Sequence, residues 1–250
     1  MPYVIYRVQK LHAGSRGSGS LGQALKHLQN HTTSAEIAHP ERTCENMLHG
    51  GDYKKLMRKI NKHIDDHNKH HKRSFRSDAA IACEMILSYS PEIPTGKKDK
   101  KGKDIMQPYR QDLESALEFE KKILDFLHKQ YPDMQIAGIA RHMDEESVHW
   151  HVIGLCFNEK THTMSVRQMI GGPKDLQKAQ TVLADLCEDI GLERGISKSI
   201  TKKNHLTKQE YNRQKLSHQK RLQDIELAHR AKILEESNRA VLEVLGDFDR

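Results

Sequence analysis

The sequence predicts an α+β fold: an antiparallel-rich central sheet with helices packed against it, followed by a long C-terminal helix. Three observations carry this. Residues 3–11, YVIYRVQKL, alternate Val4, Tyr6 and Val8 against Ile5, Arg7 and Gln9, the period of a strand. Residues 134–142 and 148–157 are two apolar runs joined by the short segment MDEES, which reads as an antiparallel hairpin. Around them lie stretches with helical spacing, in the order strand, helices, strand, helix, hairpin, helix. That order argues for a sheet with helices against it.

Each element follows in turn. HAGSRGSGSLG after the first strand is a Gly/Ser loop, and residues 22–31 read as a short helix with Ala24, Leu25 and Leu28 inward and His27 beside that face. A loop through Pro40 leads to ERTCENMLHGG, where the glycines stop the chain. A polar, basic helix is expected over roughly 52–72. Residues 78–89, DAAIACEMILSY, form a strand covered on both faces, and Glu84 is its one interior acid. Residues 94–105 read as a mobile basic loop, and together with the N-terminal half they are where DNA-reading contacts are expected. Over 109–132 Leu113, Leu117, Leu124, Leu127 and Tyr131 recur at helical spacing, and Pro132 ends the helix. GGP opens a helix over 173–190, with Leu176, Ala179, Leu183, Leu186 and Ile190 inward.

Beyond GLERGISKSITKKNH the character changes, which divides the chain into a domain over 1–206 and an extension over 207–250. Residues 207–245 hold no glycine or proline and only scattered apolar positions. They read as one extended charged helix that could pair with another chain as a homodimer, or as the start of a longer C-terminal region.

The formal net charge is +7, and KKLMRKINKH, HNKHHKRSFR and TGKKDKKGKD each crowd positive charge. This pattern points to a polyanionic partner, nucleic acid before membrane, because no basic run carries aromatic anchors on an opposite face. No apolar run is long enough to span a bilayer and no signal pattern opens the chain. Four cysteines without close pairing fit a reducing cytoplasm.

The chemistry concentrates in RHMDEESVHWHVIGLCF, residues 141–157. Side chains two apart on a strand share a face, so His149 and His151 point together and Trp150 points away. The hairpin brings His142 alongside them. Three imidazoles from adjacent strands make a metal site with open positions for water and substrate. Asp144, Glu145 and Glu146 in the turn could add a ligand or fix the imidazole tautomers. A chain with 17 histidines produces chance pairs, but strand register, a third histidine across the turn and an acid cluster coincide here. By ligand preference three imidazoles suit Mn, Co, Ni or Zn better than Mg, and abundance keeps both Mn and Mg in view.

These residues resemble a known family. His-hydrophobic-His on a central strand resembles the HUH endonucleases, and His142-x-x-Glu145-x-x-x-His149-Trp150-His151 is similar to the Mob/Pre (MobV class) plasmid mobilisation relaxases. YRVQKLHAGS with LGQALKH, RTCEN, RSDAAIACE and DLCEDIGLERGISKS resemble other segments of the same family in the same order, over residues 3–205. The resemblance implies a bacterial, cytoplasmic relaxase that nicks one strand at a plasmid or mobile-element origin of transfer. It further implies a divalent metal on His142, His149 and His151, with relaxosome and coupling proteins as further partners.

The family position implies His27 as the nucleophile and Glu84 as its partner. Where members often carry a tyrosine after the asparagine of RTCEN, this chain has Met47, which leaves Tyr53 and Tyr89 as other candidates. Members often carry an arginine shortly after the first-motif histidine; here Asn30 and His31 stand instead. Phosphate contacts then fall to Lys26, Arg42, Arg73, Arg76 and Arg194. Two other readings compete: an HUH replication initiator, and a non-catalytic DNA-binding accessory protein with a structural metal.

Overall fold

The structure, a computed structural model, describes residues 2–12, 19–29, 38–99, 102 and 104–196, and beyond them positions 210, 213, 216, 217 and 220. Residues Met1–Gly195 form one compact unit and Ile196–Arg250 a second. The expected domain boundary at 206 lies outside the described residues. Of the expected C-terminal helix, Glu210, Arg213, Leu216, Ser217 and Lys220 are helical. The rest of it, and its expected dimer surface, lies outside the described residues, as do Asn30 and His31.

A six-stranded sheet organises the first unit. In chain order its strands are β1 (Tyr3–His12), β2 (Met47–Gly50), β3 (Ala80–Tyr89), β6 (Gln135–His142), β7 (His149–Leu155) and β10 (Glu193–Arg194). They lie side by side as β10-β1-β3-β7-β6-β2. Only the β1–β10 pair is parallel; the others run antiparallel. Hairpins β4 (Glu92–Lys98) with β5 (Asp104–Pro108), and β8 (Phe157–Asn158) with β9 (Thr163–Met164), stand outside this sheet.

Helices cover both faces. On one, α1 (Leu21–Gln29) and α2 (Tyr53–His70) bury Leu21, Leu25, Leu28, Leu56 and Ile60 against Ala82, Ala140, Ile153 and Leu155. On the other, α3 (Leu113–Gln130), α4 (Val166–Ile170) and α5 (Pro173–Leu186) pack on Met85, Leu87, Trp150 and Val152. A fully buried side chain of this size contributes about 1.5–3 kcal/mol. Asp52 and Asp112 start α2 and α3 by accepting the backbone N–H of Lys55 and Ser115 at 2.7 and 2.9 Å.

Three expectations are corrected. Of the basic 94–105 segment, read as a mobile loop, residues 94–98 and 104–105 are strand residues of the β4–β5 hairpin. RTCEN does not simply run to a stop: Pro40–Glu45 winds into a 3-10 turn, and Met47–Gly50 becomes edge strand β2 on β6. The buried face of α3 is rotated from the leucine repeat. Ala116, Phe119, Ile123, Phe126 and Leu127 face the core, while Leu117 and Leu124 are 42% and 52% exposed. The two phenylalanines offer more apolar area than the two leucines, and the helix turns to bury the rings.

Candidate metal centre and active site

Strand pairing sets the centre. His142 lies directly opposite His149, and His151 lies between Ala140 of β6 and Ile86 of β3. Cross-strand partners share a face, so all three imidazoles stand on the α1/α2 side of the sheet while Trp150 is buried on the other. The ring centroids are 5.1 Å (His142–His149), 5.0 Å (His142–His151) and 4.9 Å (His149–His151) apart. His27, from α1, completes the group: one ligand atom from each of the four lies within 4.8 Å of the others.

Each strand histidine has an oxygen against Nδ1. Glu145 Oε1 is 3.2 Å from His142 Nδ1, Ser147 O is 2.8 Å from His149 Nδ1, and Glu84 Oε1 is 2.8 Å from His151 Nδ1. An acceptor there favours the proton on Nδ1 and leaves Nε2 with a lone pair for a cation. Burial, then the nearby His151, lowers the pKa of His149 to about 4, so its ring is neutral near pH 7. Glu145 is pulled the other way: burial raises it, but the His142 hydrogen bond and the His149 charge outweigh that and hold it at about 2. Burial raises Glu84 against the opposing charges of His27, His149 and His142. Imidazoles with oriented Nδ1–H groups beside a charged carboxylate fit a borderline divalent cation.

The hydrogen bond of Glu84 goes to His151, where the sequence reading paired this carboxyl with His27. His27 stands close by, its ring 4.8 Å from that of His151 and 5.3 Å from that of His142. Helix α1 seats it there by burying Leu25 and Leu28 on either side in sequence. Gly138 lets that helix come close: a Cβ at this position would meet Leu28 at 3.2 Å and the Gly51 backbone at 3.0 Å.

The turn between β6 and β7 is held from three directions. Asp144, expected as a metal-side carboxylate, is fully buried and accepts from Thr43 Oγ1 at 2.8 Å. Its carbonyl accepts from the backbone N–H groups of Ala38 and His39. Asn46 Oδ1 accepts from Met143 N at 2.7 Å, and Gln111 Oε1 from Val148 N at 2.9 Å. RTCEN is thus a bracket for the histidine turn. Behind the sheet, Glu120 Oε2 accepts from Arg141 Nη1 at 2.7 Å and from Trp150 Nε1 at 2.9 Å. Arg141 also donates to Glu45 O through Nε and Nη2. The sequence reading missed Thr43, Gln111, Glu120 and Arg141. Arg141 and Trp150 did carry a signal: polar donors alternating with the histidines must face the apolar side and need an acceptor there.

A family model described as plasmid recombination enzyme, Mob/Pre, matches residues 1–213. The chain belongs to the Mob/Pre family. It is 26% identical over 227 residues to plasmid recombination enzyme type 1 of Staphylococcus aureus, covering 90% of this chain and 52% of the relative. The chain thus spans about half the length of the curated relative it matches. Among solved structures it is similar to the MobM relaxase domain (MOBV; Mob_Pre), Mn-bound and in complex with plasmid pMV158 oriT DNA carrying a 3′ thiophosphate. That match has a TM-score of 0.58 at 26% identity over 84% of this chain and 98% of that one. A second Mn-bound complex of the same domain, with a 22-nucleotide oriT DNA, gives a TM-score of 0.59 at 26% identity over 84% and 99%.

The basic candidates of this Mob/Pre chain are dispersed. Lys26 is exposed on α1 beside His27, and Arg73 is exposed after α2. Arg42 is committed to Glu45 and to the carbonyl of Gln111. Arg76 is exposed and paired with Asp78. Arg194 donates to Thr181 Oγ1 of α5 at 2.7 Å, on the opposite face and the far edge of the sheet, so it is not brought to the site. Of the tyrosines, Tyr89 is buried behind the sheet and donates to Arg110 O, which removes it from the histidine face. Tyr53 is 46% exposed at the start of α2.

A second cluster, Asp66, His70 and His162, also brings potential ligand atoms within 4.8 Å. The rings of His70 and His162 stack 3.7 Å apart and 5° from parallel. An ion bound to imidazole lies near the ring plane, so parallel rings cannot share one. The cluster is a stack tied by Asp66 Oδ2 to His162 Nδ1 at 2.6 Å, joining α2 to the β8–β9 turn.

Proposed function

We propose that the chain is a metal-dependent DNA nickase, its nicking domain spanning residues 1–206. It would cut one strand at a plasmid or mobile-element origin of transfer and keep the 5′ phosphate covalently for conjugative mobilisation. The observation that carries this reading is the place of His27, a fourth imidazole that arrives from a helix beside three strand imidazoles. Support comes from the similar relaxase domains, whose structures hold Mn and oriT DNA.

In this reading His142, His149 and His151 hold a divalent cation, Mn foremost, through Nε2. When bound, the cation polarises the scissile phosphate and offsets the charge that builds up in displacement. Glu145 and Glu84 keep their imidazoles oriented. A ring nitrogen of His27 forms a bond to phosphorus and the P–O3′ bond breaks. The 3′ oxygen leaves as a hydroxyl after taking up a proton, and a 5′ phosphoramidate remains. Attack makes the remaining ring N–H of His27 acidic. Glu84, near enough to feel the charge of His27 and raised by burial, is the proposed proton acceptor. The retained P–N bond conserves the energy needed to rejoin the strand.

The test is nicking of a supercoiled oriT plasmid with and without Mn, followed by acid treatment of the trapped adduct. The expected result is an adduct that is lost in mild acid and absent in His27→Ala, with Mn binding retained in that variant. An acid-stable adduct mapped to Tyr53 would overturn the assignment of His27. Loss of Mn binding in His27→Ala would make His27 a ligand instead.

A further inference from the structure

The three histidines are carried by two strands paired through their backbones, and a side-chain tie between the same strands lies on the reverse face of the sheet. Arg141 immediately precedes His142, and Trp150 sits between His149 and His151. The two are cross-strand partners, so their side chains emerge together behind the imidazoles. Both end on one oxygen, Oε2 of Glu120 on α3, at 2.7 and 2.9 Å.

Packing makes that oxygen a fixed point. Its neighbour Phe119 is fully buried against Trp150, ring centroids 5.2 Å apart. Trp150 is itself fully buried, and the Glu120 and Arg141 side chains are only 18% and 9% exposed. A charged, hydrogen-bonded pair of this kind adds little net stability over an apolar replacement, but it is strict about geometry. A shift of β6 along β7 would break one of the two bonds. The same shift would move His142 relative to His149 and His151.

We propose that Glu120 is a positioning residue for the metal centre: by tying Arg141 and Trp150 to one carboxylate oxygen it sets the spacing of His142 from His149 and His151, and through it the affinity for the divalent ion. Asn46 and Gln111 hold the turn at Met143 and Val148, and Glu45 O takes Arg141 of β6 alone, whereas Glu120 takes a donor from each strand beside the ligands. The inference deepens the proposed metal-dependent reading and rests on it.

The test uses the full chain and two variants. Glu120→Leu removes both bonds at similar volume, and Glu120→Gln keeps one neutral acceptor. Mn affinity is read from the electron paramagnetic resonance signal of free Mn, ligand geometry from the visible spectrum of the Co-loaded protein, and folding from metal-free melting. Partners that orient metal ligands typically change affinity about 10–100-fold. Glu120→Leu is therefore expected to lose about tenfold or more in Mn affinity and to shift the Co bands, with Glu120→Gln between it and the wild type. Nicking should recover at high Mn in both, which a folding defect would not allow. If Glu120→Leu fails to fold, the Gln variant carries the comparison. Wild-type Mn affinity and Co spectrum in a folded variant would overturn the proposal alone. A wild-type chain that binds no Mn would overturn the centre and the proposal together.

Discussion

Each strand histidine depends on a different acceptor: Glu145 for His142, Ser147 O for His149, Glu84 for His151. With three acceptors at three Nδ1 atoms, losing two ligands leaves no set that can hold the ion. Titration with Mn should show one equivalent for the wild type and none for His149→Ala/His151→Ala, with nicking abolished in the latter. Stoichiometric Mn in the double variant would sink the centre, and a second wild-type equivalent would contradict the stack reading of Asp66, His70 and His162. The grouping of the imidazoles was legible in the sequence because a strand's period of two places His149 and His151 on one face whatever surrounds them. Glu84 was legible as a misplaced acid, but its partner was not, since a choice between two imidazoles whose rings lie 4.8 Å apart is settled only by side-chain geometry. Arg42 and Arg194 were read as phosphate contacts because a guanidinium suits bidentate phosphate recognition. In the structure Arg42 pairs with Glu45, three positions on, and Arg194 donates to Thr181, thirteen positions earlier and on another element.

Among the elements, the strands with a fully covered face and the amphipathic helices were readable, and the edge pieces were not. β2 has only four residues and exposes three of them, so it shows no alternation. β4 carries proline, glycine and two lysines, the composition of a loop, and β5 is exposed throughout, because a hairpin outside the main sheet has little to bury. Yet β2 matters to the site, since it flanks β6 and leads from the RTCEN bracket to α2. It ends at Gly50, whose φ of 77° is left-handed and where a Cβ would stand 2.5 Å from Ala137 O. Gly50→Ala therefore combines backbone strain with a backbone clash, and each typically costs about 1–3 kcal/mol. The expected outcome is a thermal melting point lowered by several degrees, measured by circular dichroism without metal. An unchanged melting point would show that this edge adapts freely.

At the scale of the whole molecule, charge is the governing quantity. The net charge of +7 and the exposed Lys26 and Arg73 on the α1/α2 side favour a partner that sheds counterions on binding. A plot of log affinity against log salt for single-stranded oriT DNA should fall with a slope of about −0.7 per phosphate contacted. A flat plot would rule out backbone contacts as the main source of affinity. Two-sided construction is the other property of this scale: one face of β6 and β7 carries imidazoles, the other carries Arg141 and Trp150 on Glu120.

That alternation constrains how such a chain can change over generations. One residue gained or lost within β7 would turn every later side chain through to the opposite face, trading imidazole for indole and ligand for scaffold in one step. Such a lesion has no partial form. The stretch can therefore drift by exchange of one amino acid for another but not by change of length.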